Sequence, residues 1–179
     1  MINRLAIPLL LCAVFCAPAF AALPPLSPEE LEASADAIIV GKVDSAEVEI
    51  AGSLQHSIYQ VKLSVTVGAV EKGAEIIKPS QELTIHCWRL RKAQNGWAGP
   101  SGQNNVPAEG SDFRAWIRKN EAGNWEALEP NGISLTGASG DYPFHQVEKG
   151  RMKALRYFII AGAILITGIF LYASRGRRS

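Results

Sequence analysis

The sequence predicts a mainly β chain: a small closed antiparallel barrel of five or six strands, or alternatively a two-sheet sandwich, joined to one C-terminal transmembrane helix. Three observations lead there. Between Asp36 and Thr136 the apolar residues recur at a period of two. Clusters of glycine, proline and asparagine cut that region into short segments. An uncharged run bounded by arginines then stands near the C terminus. Closure is preferred to an open sheet because it removes free edges and gives the inward side chains one interior to fill.

With 179 residues and an apolar segment at each end, the chain has room for one domain. Residues 1–21 read as a signal peptide: Arg4, an apolar run from Leu5 to Phe15, then small residues at Ala19 and Ala21 that suit a peptidase cleft. Residues 22–148 are then an extracytoplasmic β domain. It opens on Ser27-Pro28-Glu29-Glu30, an N-cap followed by a helix-initiating proline and a glutamate three residues after the cap. A short helix to about Ala35 follows.

The strands come next. Ala37 to Val43 is an apolar strand, which Glu47 to Ile50 extends after a bulge or turn. From Ile58 to Val67 the alternation is cleanest, with Tyr59, Val61, Leu63, Val65 and Val67 on one face. Glu82 to Leu90 places Leu83, Ile85 and Cys87 inward. A breaker-rich segment, 92–110, holds Trp97 and reads as an ordered excursion. Asp112 to Lys119 places Phe113, Ala115 and Ile117 on the face opposite Arg114, Trp116 and Arg118. A hairpin at Asn120 to Asn124 returns through Trp125 to Leu128, and Ser134 to Thr136 closes.

The pattern of Ala35 to Val43, the long strand Tyr59 to Val67 running into Glu71-Lys72-Gly73, and the strand from Gly110 to Ile117 resemble the OB-type barrel of tissue metalloproteinase inhibitors. The resemblance implies the barrel over roughly Ala35 to Ile133. It implies no inhibitory residue, because those inhibitors chelate the protease zinc through an N-terminal cysteine and the expected mature terminus is Ala22.

Charge divides the chain. From Ala22 to Glu148 there are 17 acidic and 10 basic residues, a net of −7, whereas 149–179 holds seven basic residues and no acidic one. Residues 149–156 form a basic juxtamembrane segment, 157–173 the transmembrane helix and 174–179 a basic cytoplasmic tail. Seventeen helical residues rise about 26 Å, enough to cross with flanking arginines reaching the interface. The expected partners are thus the lipid bilayer and another envelope protein, in a single-pass topology with the β domain outside. The acidic body argues against nucleic acid.

Chemistry is sparse. His56, His86 and His145 are dispersed, and the neighbours His86 and Cys87 point to opposite faces of a strand, so no metal and no cofactor is expected. Cys87, alone once the leader is removed, reads as a buried thiol. The candidate contact surface is aromatic and cationic: Trp88, Trp97 and Trp116 with Arg114 and Arg118, the composition of a protein-contact hot spot. Trp88 and Trp116 also read as a second small core beneath the Trp97 loop, with arginines stacked over them. Two alternatives stand beside an envelope-protein contact. One is a hydrolase with a cleft beneath the 96–110 loop, using His86 or His145 with Asp112. The other is a glycan or small-ligand binder in which tryptophan stacks on the ligand.

Overall fold

The structure, a computed structural model, describes residues 24–149 apart from Ala138. Residues 24–141 belong to one compact unit and 142–149 to a second. In the second, 144–149 are helical and the rings of Tyr142 and Phe144 lie 5.0 Å apart.

The first unit begins with α1, Pro28–Ser34. Ser27 Oγ accepts from the Glu30 N–H at 3.2 Å and the Glu30 carboxylate accepts from the Ser27 N–H at 2.7 Å. This reciprocal pair satisfies two donors of the first turn and sets where the helix starts. Six strands follow: β1 Ala37–Gly52, β2 Ser57–Lys72, β3 Glu82–Lys92, β4 Asp112–Lys119, β5 Trp125–Ala127 and β6 Ile133–Leu135.

Five of them close a ring in the order β1-β2-β3-β5-β4, with β4 pairing back onto β1 and β6 lying against β4. The small antiparallel barrel expected from the sequence is present, with one short ladder that runs the other way. Every ladder is antiparallel except β3 to β5, where Ile85 opposes Trp125 and His86 opposes Glu126 in parallel. Strand direction cannot alternate around a ring with an odd number of members, so a closed five-strand barrel must contain a parallel ladder. This mixed ring is an OB-like barrel.

β1 serves two neighbours. Its first part, Ala37 to Lys42, pairs with β4, and nearly its whole length pairs with β2. Register shifts make this possible, the last between Val43 and Ser45. Before that bulge Val43 faces the interior opposite Val65; after it Ala46 opposes the inward Leu63, so the inward set moves from odd to even residues. Gly41 sits at the register shift after Val40, where β2 comes close: a Cβ there would lie 2.5 Å from the Thr66 carbonyl oxygen.

The interior is filled by the alternating residues. Val61, Leu63, Val65 and Val67 of β2, Ile85 and Cys87 of β3, and Phe113, Ala115 and Ile117 of β4 are all buried. A second, smaller cluster lies on the outside of the barrel wall, where Leu31 of α1 and Ala35 at its C-cap cover Ile38, Trp116 and Leu128, with Leu26 against them.

The anchoring expectation is also corrected. Among the described residues no helix is long and apolar enough to cross a membrane; α1, with seven residues, rises only about 10 Å. The segments read as leader (1–21), crossing helix (157–173) and tail (174–179) lie outside the described residues. A transmembrane tether, a lipid bilayer partner, a single-pass topology and an envelope location therefore take no part in the function argued below.

Candidate functional site

The barrel wall carries a groove with a cavity volume of about 650 Å³ on the outward faces of β1, β2, β3 and β5. Its floor is built by register. Glu47 opposes Lys62, Lys62 opposes His86, His86 opposes Glu126 and Glu126 opposes Arg118, so one continuous cross-strand row traverses five strands. All five side chains line the groove. Directly opposed residues on one face stand about 5 Å apart, close enough to set the Glu47 and Glu126 carboxylates beside the Lys62, His86 and Arg118 side chains in one row. A second row runs beside it, Glu49 to Gln60 to Trp88, also on the groove.

Leu26, Ser34, Leu128 and Glu129 complete the rim. The Trp88 indole N–H donates to the Glu129 carboxylate. Glu126 accepts from Asn120 Nδ2 at 2.6 Å. Burial holds the Glu129 carboxyl above the usual carboxylate range; the Trp88 bond lowers it, nearby Glu126 raises it and Arg118 lowers it, for a net rise. Cys87 underlies the same wall, and burial, reinforced by Glu129, pushes its thiol up to about 12. It is protonated at neutral pH, which leaves little of the nucleophilic thiolate form.

The 92–110 excursion is ordered by β3. Leu90 N–H donates to Ser101 O and Gln103 N–H to Trp88 O, both at 2.8 Å, so Ser101–Gln103 runs along the β3 edge beyond the β5 ladder. Gln103 is 1% exposed, and its amide nitrogen donates to the Ala127 and Leu128 carbonyls at 3.2 and 2.7 Å. This holds the segment leading to Glu129 against the end of β5.

The five residues of the expected aromatic and cationic surface go to different places. Trp88 and Arg118 line the groove. Trp116 is 8% exposed beneath α1, with the Arg114 guanidinium 4.4 Å above its ring and Arg114 paired to Glu71 at 2.6 Å. Trp97 is 43% exposed and its ring lies tilted against His56, 4.4 Å between centroids, at the β1–β2 turn. Of the groups considered for hydrolysis, His86 is in the groove, Asp112 is not among its lining residues, and His145 belongs to the second unit. Among the described residues no cluster of three or more His, Cys, Asp or Glu is arranged to hold a metal ion.

Glu47, Glu49, Lys62, Glu126 and Glu129 were not singled out by sequence reasoning. In one dimension each is an ordinary surface charge. The usable signal was the short turn at 53–56, which places Glu47 across from Lys62 once the two strands are counted back from it.

Fold and groove together define an OB-like barrel with a polar groove on its outer face. Compared with protein families and with curated proteins, the sequence finds no match.

Proposed function

We propose that the protein is a β-barrel binding module whose groove takes a polyhydroxylated ligand of glycan type, without turning it over. The observation that carries this reading is the row Glu47, Lys62, His86, Glu126 and Arg118 beside the Trp88 ring. Interspersed acceptors and donors match the hydroxyl groups of a sugar chain, and the indole offers a flat apolar wall for a ring. The strand 2 and 3 face of OB-type barrels is a known seat for oligosaccharides and oligonucleotides. Four carboxylates against Lys62 and Arg118 disfavour the second of these, since a phosphate backbone would meet net negative charge.

The likeness to tissue metalloproteinase inhibitors enters as a likeness of barrel only. Cys87 is the one cysteine among the described residues and it is buried inside the wall, where it cannot reach a protease metal.

The test is a titration of the full chain with a panel of neutral oligosaccharides, followed by tryptophan fluorescence. Saturable change with at least one member, lost in Trp88→Ala and kept in Trp97→Ala, is the expected result. No saturable response to any sugar, together with a response to single-stranded DNA, would overturn the reading. Appearance of new reducing ends in the bound oligosaccharide would overturn the binding-only part and make the protein a hydrolase with Glu129 as the proton holder.

A further inference from the structure

The ladder between β1 and β4 ends at Lys42, and the backbone bonds prolonging it stop at Val43, which exchanges hydrogen bonds with Gly110 and Ser111. From Ser45 to Gly52 the strand continues in unbroken register with β2, Ser45 opposite Ser64 and Gly52 opposite Ser57. On its other side no described residue pairs with it. Eight extended residues make an open edge of about 26 Å. Alternate residues of an antiparallel strand turn their N–H and C=O groups away from the partner, so this edge presents a row of unused donors and acceptors.

The neighbouring strands are treated differently. β2 is paired on both sides from Ser57 to Thr66, β4 has β1 on one side and β5 and β6 on the other, and the β3 edge beyond His86 is covered by Ser101–Gln103. An edge left long, regular and uncovered is a template for an added strand.

Charge decides which strand. Residues 44–52 include Asp44, Glu47 and Glu49 and no basic residue, and all three carboxylates are exposed. A second copy pairing antiparallel about Val48 would set Glu47 of each chain against Glu49 of the other, a like-charge contact that disfavours it. A basic strand meets the opposite situation.

We propose that the Ser45–Gly52 edge docks an extended basic segment of another protein, which adds to the sheet through main-chain hydrogen bonds and sets alternate lysine or arginine side chains against Glu47 and Glu49. This edge adjoins the groove, and Glu47 and Glu49 border both.

The experiment uses the full chain and a synthetic peptide of about ten residues alternating lysine with valine, beside the same peptide with glutamate in place of lysine. Amide hydrogen exchange at 45–52 is expected to slow by about tenfold or more with the lysine peptide, an effect that weakens as salt is raised, and to stay unchanged with the glutamate peptide. In the double variant Glu47→Lys, Glu49→Lys the preference is expected to reverse, and Trp88→Ala is expected to leave it unchanged. Three results overturn the proposal. Slow exchange at 45–52 without peptide at every dilution would mean that the chain covers its own edge. Protection that grows with protein concentration alone would assign the edge to a second copy. Equal protection by the lysine peptide in the charge-reversed variant would remove the carboxylates from recognition.

Discussion

Trp88 on β3 donates its indole N–H to the carboxylate of Glu129, just beyond β5, and so joins two walls of the groove that are 41 residues apart in the chain. Trp88 thereby holds in place a carboxyl that burial keeps above its ordinary range.

The pH dependence of Glu129 follows from that position. Its folded-state pKa lies above the ordinary value, chiefly through burial. A raised carboxyl contributes stability that is fully present below the unfolded pKa and lost as pH rises through the folded one. Glu129→Gln keeps an acceptor for Trp88 and removes the titration. Relative to wild type, its melting temperature is expected to rise as pH goes from about 4 to about 7. Curves that run parallel across this range would refute the assignment.

Cys87 is expected to resist modification. Its thiol is pushed up to about 12 by burial and by Glu129, so almost none is thiolate at neutral pH. A thiol reagent should label the native protein far more slowly than the denatured chain. Equal rates would place the thiol outside the wall.

Leu63 and Gly41 test the barrel from inside. Leu63 has no exposed surface, and Leu63→Ala should cost about 2 to 5 kcal/mol in denaturant unfolding. Gly41→Ala adds one methyl group against the Thr66 carbonyl, a backbone atom that cannot swing aside, and a loss of about 1 to 3 kcal/mol is expected. A neutral Gly41→Ala would show that β1 does not approach β2 so closely.

The tryptophans should separate by stability. Trp116→Ala empties the cluster under α1 and is expected to cost about 3 to 5 kcal/mol, whereas Trp97→Ala, which gives up one exposed ring contact with His56, should cost about 1 kcal/mol or less. Comparable losses would mean that the Trp97 loop is as much part of the folded unit as α1.

The strands were legible where one face is wet and the other dry. Tyr59, Val61, Leu63, Val65 and Val67 alternate without error, and the Ser27 to Glu30 cap announced α1. β1 read as two pieces because the bulge near Asp44 moves the inward side from Val43 to Ala46, which interrupts the period without ending the strand. The parallel ladder was hidden because β5 is three residues long and its neighbour β3 lies far back in the chain. Of the site, Trp88 and Arg118 stood out by type, yet their membership of one groove depends on registers across five strands. The burial of Trp116 depends on α1 lying over its strand, a contact that no local pattern in Asp112 to Lys119 encodes.

β1 is completed by the strand that is made much later. Until Asp112–Lys119 has left the ribosome, Ala37 to Lys42 has only β2 beside it, and its apolar side chains lack the wall that finally shuts the ring. A nascent chain stopped between β3 and β4 would carry an exposed sticky margin along all of β1, from its acidic end to its apolar one. Translation pauses or premature stops in that interval should therefore yield a species that associates with itself and engages chaperones, while the finished barrel does not.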